Sequence, residues 1–394
     1  MTYKKYKLED ICEFIKNGKS VQQTKDQKGL PITRIETIAN SVIDPAKVGY
    51  ANLALEGNES YLLKNGDILF SHINSVEHLF KTAKYNGIPE QLIHGMNLLC
   101  LRPNVKLIDP QFFLHLLRSD KVKRGLLTYA NKSVNQASIS ATSVKNFEVV
   151  IPSLEEQRRI ASILDKADAI RQKRQQAIAK LDELLQATFI DMFGDPIKNE
   201  KGWSIGTIGD MLESVKYGSS DKAELEGDVP ILRMNNITYS GEMNLKDLKY
   251  IKQEQADEKY LVRQGDILFN RTNSKELVGK TAVYYGPEPM AYAGYLVRGR
   301  TLPEHVPEYI SGFLNSSWGK STLQSMCKSI IGMANINAKE FQSIRLPIPP
   351  SELQLQFKKK VYAIRELKLK LEIQLHQYDE LFNALQQKAF NGTL

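Results

Sequence analysis

The chain has 394 residues, of which 42% are hydrophobic and 25% charged, and its formal net charge is +8. That length suits two or three domains rather than one, and the composition excludes a disordered chain. The positive balance favours a polyanionic partner, because lysines and arginines that neutralise phosphates release condensed counterions, although mild basicity is also ordinary among soluble proteins.

Cys12, Cys100 and Cys327 lie far apart and form no C-x-x-C, which speaks against a disulfide framework or a zinc knuckle and fits a reducing cytoplasm. Met1 to Lys7 is polar and basic with no apolar run behind it, so no secretory signal is expected. No stretch approaches the roughly 18 apolar residues of a membrane span, so the expectation is a soluble cytoplasmic protein without a membrane partner.

In chain order, a region of short strands and turns comes first. Within it Asn65-Gly66-Asp67 reads as a turn and Ile68-Leu69-Phe70 as a buried strand. Ile151-Pro152 closes the region, since proline ends a strand. A helix from about Leu154 to Phe193 follows, with Ser153 as N-cap, Glu156 completing a capping box, and Gly194-Asp195-Pro196 as its stop. The same order then returns: strands and turns, Pro347-Ile348-Pro349, Ser351 as N-cap, and a helix from about Glu352 to Phe390 stopped by Asn391-Gly392.

The return is a duplication. Tyr61 to Ser75 reappears without a gap as Tyr260 to Ser274, and Gly66-Asp67-Ile68-Leu69-Phe70 becomes Gly265-Asp266-Ile267-Leu268-Phe269. In the same register Pro31-Ile32-Thr33-Arg34 pairs with Pro230-Ile231-Leu232-Arg233, and Lys81-Thr82-Ala83 with Lys280-Thr281-Ala282. After a slip of two residues, Ala137-Ser138-Ile139-Ser140 matches Ala334-Asn335-Ile336-Asn337. A match this long marks an internal repeat.

Forty residues of helix would span about 60 Å, which suggests a coiled coil. Ile160, Leu164, Ile178, Leu181 and Leu185 fall on one heptad seam of the first helix. Val361, Ile364, Leu371, Leu375 and Phe382 fall on the repeat-equivalent seam of the second. Two seams in one register can bury each other; the alternative is that each helix packs on its own globular region. Arg171, Arg174 and Lys368 interrupt the seams and would either face solvent or fix register. A pseudo-twofold repeat would make the helices antiparallel, with two similar, non-identical heads for two sites on one long molecule. DNA half-sites about one turn, ~34 Å, apart are the obvious example.

Taken together these features resemble the specificity subunits of type I restriction–modification enzymes over essentially the whole chain. The resemblance is carried by Pro152-Ser153-Leu154-Glu155-Glu156-Gln157 and Pro349-Pro350-Ser351-Glu352-Leu353-Gln354 at the helix starts. It is carried as well by the Gly-Asp-Ile-Leu-Phe elements, and by Leu181-Asp182-Glu183-Leu184 through Phe193-Gly194 with its echo Tyr378-Asp379-Glu380-Leu381 to Gly392. The resemblance implies an α/β fold: two similar target-recognition domains joined by two long antiparallel coiled-coil helices. The domains would be 1–153 and 195–350, with helical spacers 154–194 and 351–394. It implies recognition of a bipartite double-stranded DNA target and assembly with two methyltransferase and two restriction subunits. S-adenosylmethionine, ATP and magnesium would belong to those partners, with no cofactor, metal or active site in this chain.

Base readout needs paired donors and acceptors, so Arg, Asn, Gln, Ser and Thr in loops are the candidates. After the Gly-Asp strand these are Ser71, His72, Asn74 and Ser75 in the first half and Asn270, Arg271, Asn273 and Ser274 in the second; an ordinary polar turn is the alternative. A second segment holds Lys132, Asn135, Gln136 and Ser138, echoed by Asn335 and Asn337; a third holds Lys19, Ser20 and Gln22 against Tyr217, Ser219 and Ser220. Arg34, Arg233, Lys81 and Lys280 keep place and charge in both halves, which suits phosphate contacts that position without specifying. For the arginines structural salt bridges are an equal reading. Tyr85 and Tyr284 read as packing residues.

Gly279-Lys280-Thr281 lacks the first glycine of a phosphate-binding loop, and the six histidines show no metal-ligand spacing. A standalone nuclease would have only Asp67 and Asp266 in matching places, and they read as turn residues. A non-DNA helical scaffold is the other alternative.

Overall fold

The computed structural model describes residues 3–24, 26–133, 136–330 and 333–394, the side chains of 328–330 excepted. Among the described residues the α-helices are, in chain order, α1 (Pro110–Arg118), α2 (Asp120–Leu127), α3 (Ala141–Asn146), α4 (Leu154–Phe193), α5 (Pro307–Asn315), α6 (Ser317–Met326), α7 (Ala338–Gln342) and α8 (Ser351–Asn391). The chain divides into two compact units, Met1–Lys173 with Gln374–Leu394, and Arg174–Ile373. The division falls inside both long helices rather than at their ends, so each unit holds a globular head and a part of each helix.

The head of the first unit is built on an antiparallel sheet in the order Cys12–Asn17, Leu98–Pro103, Ile68–Ser71, Thr82–Lys84. The unbroken apolar run Ile68-Leu69-Phe70 is explained by cover on both faces. Ile68 and Phe70 pack into the core that contains α1, while Leu69 enters a second cluster with Ile38, Leu63 and Leu92. Gly66 turns into this strand at φ +96°, a left-handed conformation that favours glycine. The buried Asp67 carboxylate accepts from the Lys64 amide at 2.8 Å and from Arg102 at 2.8 and 2.7 Å, so the turn is pinned by a two-pronged ion pair. Strand Lys4–Lys7 pairs with Glu148–Ile151 and closes the head just before α4.

The second unit repeats this plan. Its sheet runs Leu212–Tyr217, Leu296–Thr301, Ile267–Asn270, Thr281–Val283, with the first pair irregular between Leu212 and Ser214 where the first unit is irregular between Cys12 and Phe14. Gly265 has φ +92°, and Asp266 accepts from the Arg263 amide and from Arg300. The two aspartates are therefore structural turn residues.

Both long helices begin by burying a glutamine. Gln157 donates to the Pro152 and Leu107 carbonyls at 2.9 and 3.1 Å and accepts from the Asp109 amide at 2.8 Å. Gln354 donates to the Pro349 carbonyl at 2.8 Å and accepts from the Val306 amide at 3.2 Å. This is the physical content of the Pro-x-x-x-x-Gln element: the side chain joins the helix start to the strand end before it and to the loop that leads into α1 or α5. Of the expected capping box, the Ser153 hydroxyl accepts from the Glu156 amide at 3.4 Å, but the Glu156 carboxylate is taken up by Arg159. Ser351 is the first residue of α8 rather than its N-cap, and the Pro350 carbonyl accepts the first helical bonds.

Within each unit the two helix parts run antiparallel. In the first, Arg159 donates to the Leu394 carbonyl and Arg171 to Asp379 at 2.6 Å, so moving forward along α4 moves backward along α8. In the second, Lys368 meets Asp182 at 2.6 Å and Phe357 packs on Phe189 and Phe193 with ring centroids 5.6 and 5.2 Å apart. Ile160, Leu164, Leu181, Val361 and Leu371 are buried, while Ile178, Leu185, Ile364, Leu375 and Phe382 are half-buried. Both packing arrangements weighed from the sequence occur together. Ile160 and Leu164 belong to the first head's core, which Phe382 and Leu385 also cover, and Phe189, Phe357 and Val361 belong to the second head's core. The basic interruptions do not simply face solvent: Arg171 pairs with Asp168 and Asp379, and Lys368 pairs with Asp182 and Glu242. Burial acts to lower the Lys368 pKa, but the two carboxylates outweigh it and the net shift is upward.

Phe357 is fully buried, so Phe357→Ala should destabilise the second unit by about 3–5 kcal/mol. The control Leu355→Ala, at a half-exposed position, should change stability by less than about 0.5 kcal/mol. Urea unfolding followed through amide protection of that unit checks both, and equal effects would contradict the packing described.

Candidate nucleic-acid interface

The three polar segments picked from sequence come together within each head. In the first, strand Ile73–Asn74 pairs with Ala137–Ser138, which pairs with Asn131–Lys132, so the loop after the Gly-Asp strand and the second segment form one ribbon. In the second, Thr272–Asn273 pairs with Met333–Asn335 in the same way. The third segment joins through loop 93–97 and its counterpart 291–295: the Lys19 amide donates to the His94 carbonyl at 2.8 Å and the Ser219 amide to the Tyr292 carbonyl at 2.8 Å.

Burial then sorts the candidates. Ser71 and Asn270 are fully buried, and Ser219 is 2% exposed with its hydroxyl donating to the Asp221 carboxylate. The expectation that these three present side chains to DNA is corrected: all three are interior positions. His72 is also buried, at 6% exposed. Asn337, half-exposed, caps α7 by accepting from the Lys339 and Glu340 amides. The shared cations make bonds within their own heads. Lys81 donates to the Ala39 carbonyl at 2.7 Å, and Lys280 to the Met234 and Ile237 carbonyls at 2.8 and 2.5 Å. Arg34 holds Gln23 and the Thr24 carbonyl, and Arg233 holds Asp247. A cation kept at one place in both repeats here closes a loop on its own head. Tyr85 and Tyr284 are packing residues as expected, each donating its hydroxyl to a carbonyl, of Pro89 and Glu288.

The remaining candidates reach the surface. Ser20, Lys132 and Gln136 are exposed, and Lys19, Asn74 and Ser75 half-exposed, in the first head; Arg271, Asn273, Ser274 and Asn335 are half-exposed in the second. Asn135 lies outside the described residues. The turn reading also holds in part, because Asn74 and Asn273 each accept the following amide, of Ser75 and Ser274, at 2.8 and 2.9 Å.

Sequence reasoning named Tyr217 in the third segment but missed Asn97, His78 and Tyr295. In the first head a cavity of about 520 Å³ lies between the polar loops, and Asn97 and His78 line it with Asn74 and Lys81. In the second, Tyr217, whose ring lies 5.0 Å from the Arg271 guanidinium, and Tyr295, whose carbonyl accepts from the Arg271 amide, stand 45% and 50% exposed. The strand registers place Asn97 opposite Tyr295 in the repeat, since Phe70 pairs with Leu99 and Phe269 with Val297. Different residues at one offset of a shared frame were the available signal. Among the described residues no group of three or more His, Cys, Asp or Glu is placed to hold a metal ion, and no helix is long and apolar enough to cross a membrane.

The model of the type I restriction modification DNA specificity domain matches the chain twice, over residues 1–180 and 200–377. The type I restriction enzyme MjaX specificity subunit of Methanocaldococcus jannaschii, provisionally so named, is 33% identical, over 96% of this chain and 89% of that one. The EcoKI specificity subunit of Escherichia coli is 23% identical, over 96% and 85%. The solved specificity subunit from M. genitalium aligns with a TM-score of 0.56 at 14% identity, over 99% of this chain and 96% of that one. A chain solved in work on complex assembly and conformational transition of the type I R-M system aligns with a TM-score of 0.57 at 17% identity, over 100% and 98%. This chain belongs to the type I restriction–modification DNA specificity family.

The two heads differ in how they respond to acid. His72, His94 and His115 are buried in the first unit, and burial holds each below the ordinary value of 6.5, against opposing bonds from the Tyr61 carbonyl to His94 and from Asp165 to His115. Below that value the unfolded chain binds more protons than the folded one, so stability falls as pH drops. In the second unit burial raises the Glu308 carboxyl, which has the opposite sign and favours the fold as pH drops. Hydrogen exchange at pH 7.5 and 5.5 should therefore show protection lost first in residues 1–173; equal loss in both units would refute the assignment.

Proposed function

We propose that this chain is the non-catalytic, sequence-reading subunit of a type I restriction–modification assembly acting in the cytoplasm. Each head reads one half of a bipartite double-stranded DNA target. Two methyltransferase subunits and two restriction subunits assemble on the chain, and S-adenosylmethionine, ATP and magnesium belong to them. Chemistry on an adenine requires taking it out of the stack, which falls to the methyltransferases.

The observation that carries this reading is one frame used twice with different exposed tips. Exposed Asn97 stands where exposed Tyr295 does, and half-exposed Arg271 stands where the first head has the buried His72, on sheets of the same order. Phosphate contacts alone would not need such differences, whereas base readout does. The helices supply the second support. They are uninterrupted over 40 and 41 residues, and Ile170, Leu184, Leu367, Leu369 and Ile373 leave apolar side chains 43–58% exposed on them, as docking of partner subunits would use. The length of the paired helices sets the unread spacer between the half-sites.

Methylated adenines mapped in a genome with and without the coexpressed chain should reveal one bipartite sequence. Removing a matched heptad from α4 and α8 shortens each by about 10 Å. The spacer should then shrink by about 3 base pairs, at 3.4 Å each, with both half-sequences kept. Altered half-sequences with the spacer retained would defeat the ruler, and absence of any chain-dependent methylation would defeat the whole proposal.

A further inference from the structure

Arg271 is the one arginine of the polar loops whose charged end is held in place without an acid. Its main chain is clamped on both sides: the amide donates to the Tyr295 carbonyl at 3.1 Å, and the carbonyl accepts from the Ile336 amide at 2.9 Å. Its Nε donates to the Gly294 carbonyl at 2.9 Å, and the guanidinium carbon lies 5.0 Å from the centre of the Tyr217 ring, within cation–π range. Tyr217 is fixed in turn, because its hydroxyl accepts from the Ala338 amide at the start of α7 at 3.0 Å. Among the described residues the two terminal nitrogens of Arg271 have no hydrogen-bond or ion-pair partner. The loop's other shared-frame cation, Lys280, spends its charge on two carbonyls of its own head.

We propose that Arg271 reads a guanine in the half-site of the second head, and that Tyr217 is its positioning residue. This deepens the reading of the chain as a DNA specificity subunit and rests on it. The chemistry singles out the base. A guanidinium with Nε occupied offers two parallel N–H donors, and in the major groove guanine presents two adjacent acceptors, O6 and N7. Adenine puts a donor at the matching place and is rejected. The ring and the Gly294 carbonyl fix the plane of the fork before DNA arrives, so little side-chain freedom is lost on binding. The first head cannot repeat the device, because the equivalent pair is Asn17 and His72, and His72 is buried.

The test uses the full chain with the methyltransferase subunit of its own system. Mapping methylated sites for the wild type identifies the two half-sequences. In the Arg271→Ala variant one guanine, in one half only, should lose its identity requirement while the other half stays unchanged. Binding of wild type to duplexes carrying 7-deazaguanine, which lacks the N7 acceptor, should weaken at that guanine, and a full base change should cost about 5- to 150-fold. Arg271→Ala should bind guanine and 7-deazaguanine duplexes equally. Tyr217→Phe, which keeps the ring, should retain the preference, and Tyr217→Ala should lose part of it. An unrelaxed sequence in Arg271→Ala, relaxation at a base other than guanine, or indifference of the wild type to 7-deazaguanine at every guanine would overturn the inference while leaving the specificity-subunit reading intact. If Arg271→Ala fails to assemble, the 7-deazaguanine series on the wild type decides alone. A wild-type assembly with no specific site would overturn both.

Discussion

The structure depends on two buried glutamines. Gln157 and Gln354 are at most 1% exposed, yet their polar atoms are matched by backbone groups of the head that precedes each long helix. A buried amide left unpaired costs about 1–3 kcal/mol, so the satisfied geometry is strongly favoured over a helix that swings away from its head. Apolar packing could hold the same contact, but it would tolerate sliding. A side chain with a donor and an acceptor aimed at particular carbonyls and amides does not. Each head is thereby fixed to the start of its own helix, and any role of the helices in spacing two readers presupposes that joint.

The helix pair uses charge for register in the same way. Arg171 faces Asp379 in one unit and Lys368 faces Asp182 in the other, and both pairs link a mid-helix cation to the aspartate of an x-Asp-Glu-Leu element. Arg171 and Asp379 are partly exposed, so their pair adds little stability. Lys368 is nearly buried, and its value lies in what breaking it would cost, since a lone ammonium there would be left desolvated between Asp182 and Glu242. An apolar seam alone accepts a shift by one heptad; a seam with one cation and one carboxylate per unit resists it. The interruptions that made the heptads look imperfect are thus part of the register.

Much of this was legible because a repeat shows each motif twice. The helix limits expected at 154–193 and 352–390 agree with Leu154–Phe193 and Ser351–Asn391, since proline, glycine and heptads act locally. The buried strand after Gly66 was legible for the same reason. What the sequence did not show was which bonds the shared cations make within the fold. Lys81, Lys280, Arg34 and Arg233 sit at equal places in both halves, but a sequence does not say which carbonyl is within reach, and each proved to be holding its own head together. Polarity misled similarly at Ser71, Asn270 and Ser219, because a strand end can turn its last polar residue inward. Tyr295 and Asn97 escaped notice because strand pairing, absent from the one-dimensional pattern, is what brings them to the tips.

Those internal bonds suggest a division of labour in the heads. Residues identical in the two copies, such as Asp67 and Asp266, or Lys81 and Lys280, make bonds within their own head. Residues that differ at one offset, such as His72 and Arg271, or Asn97 and Tyr295, lie on the loops that converge at the tips. A frame that carries its own cations internally can change its tip residues without losing the turn, the strand or the joint to the helix. Two copies of such a frame can therefore present unlike surfaces, one a cavity lined by Asn97 and His78 and the other an arginine beside the Tyr217 ring.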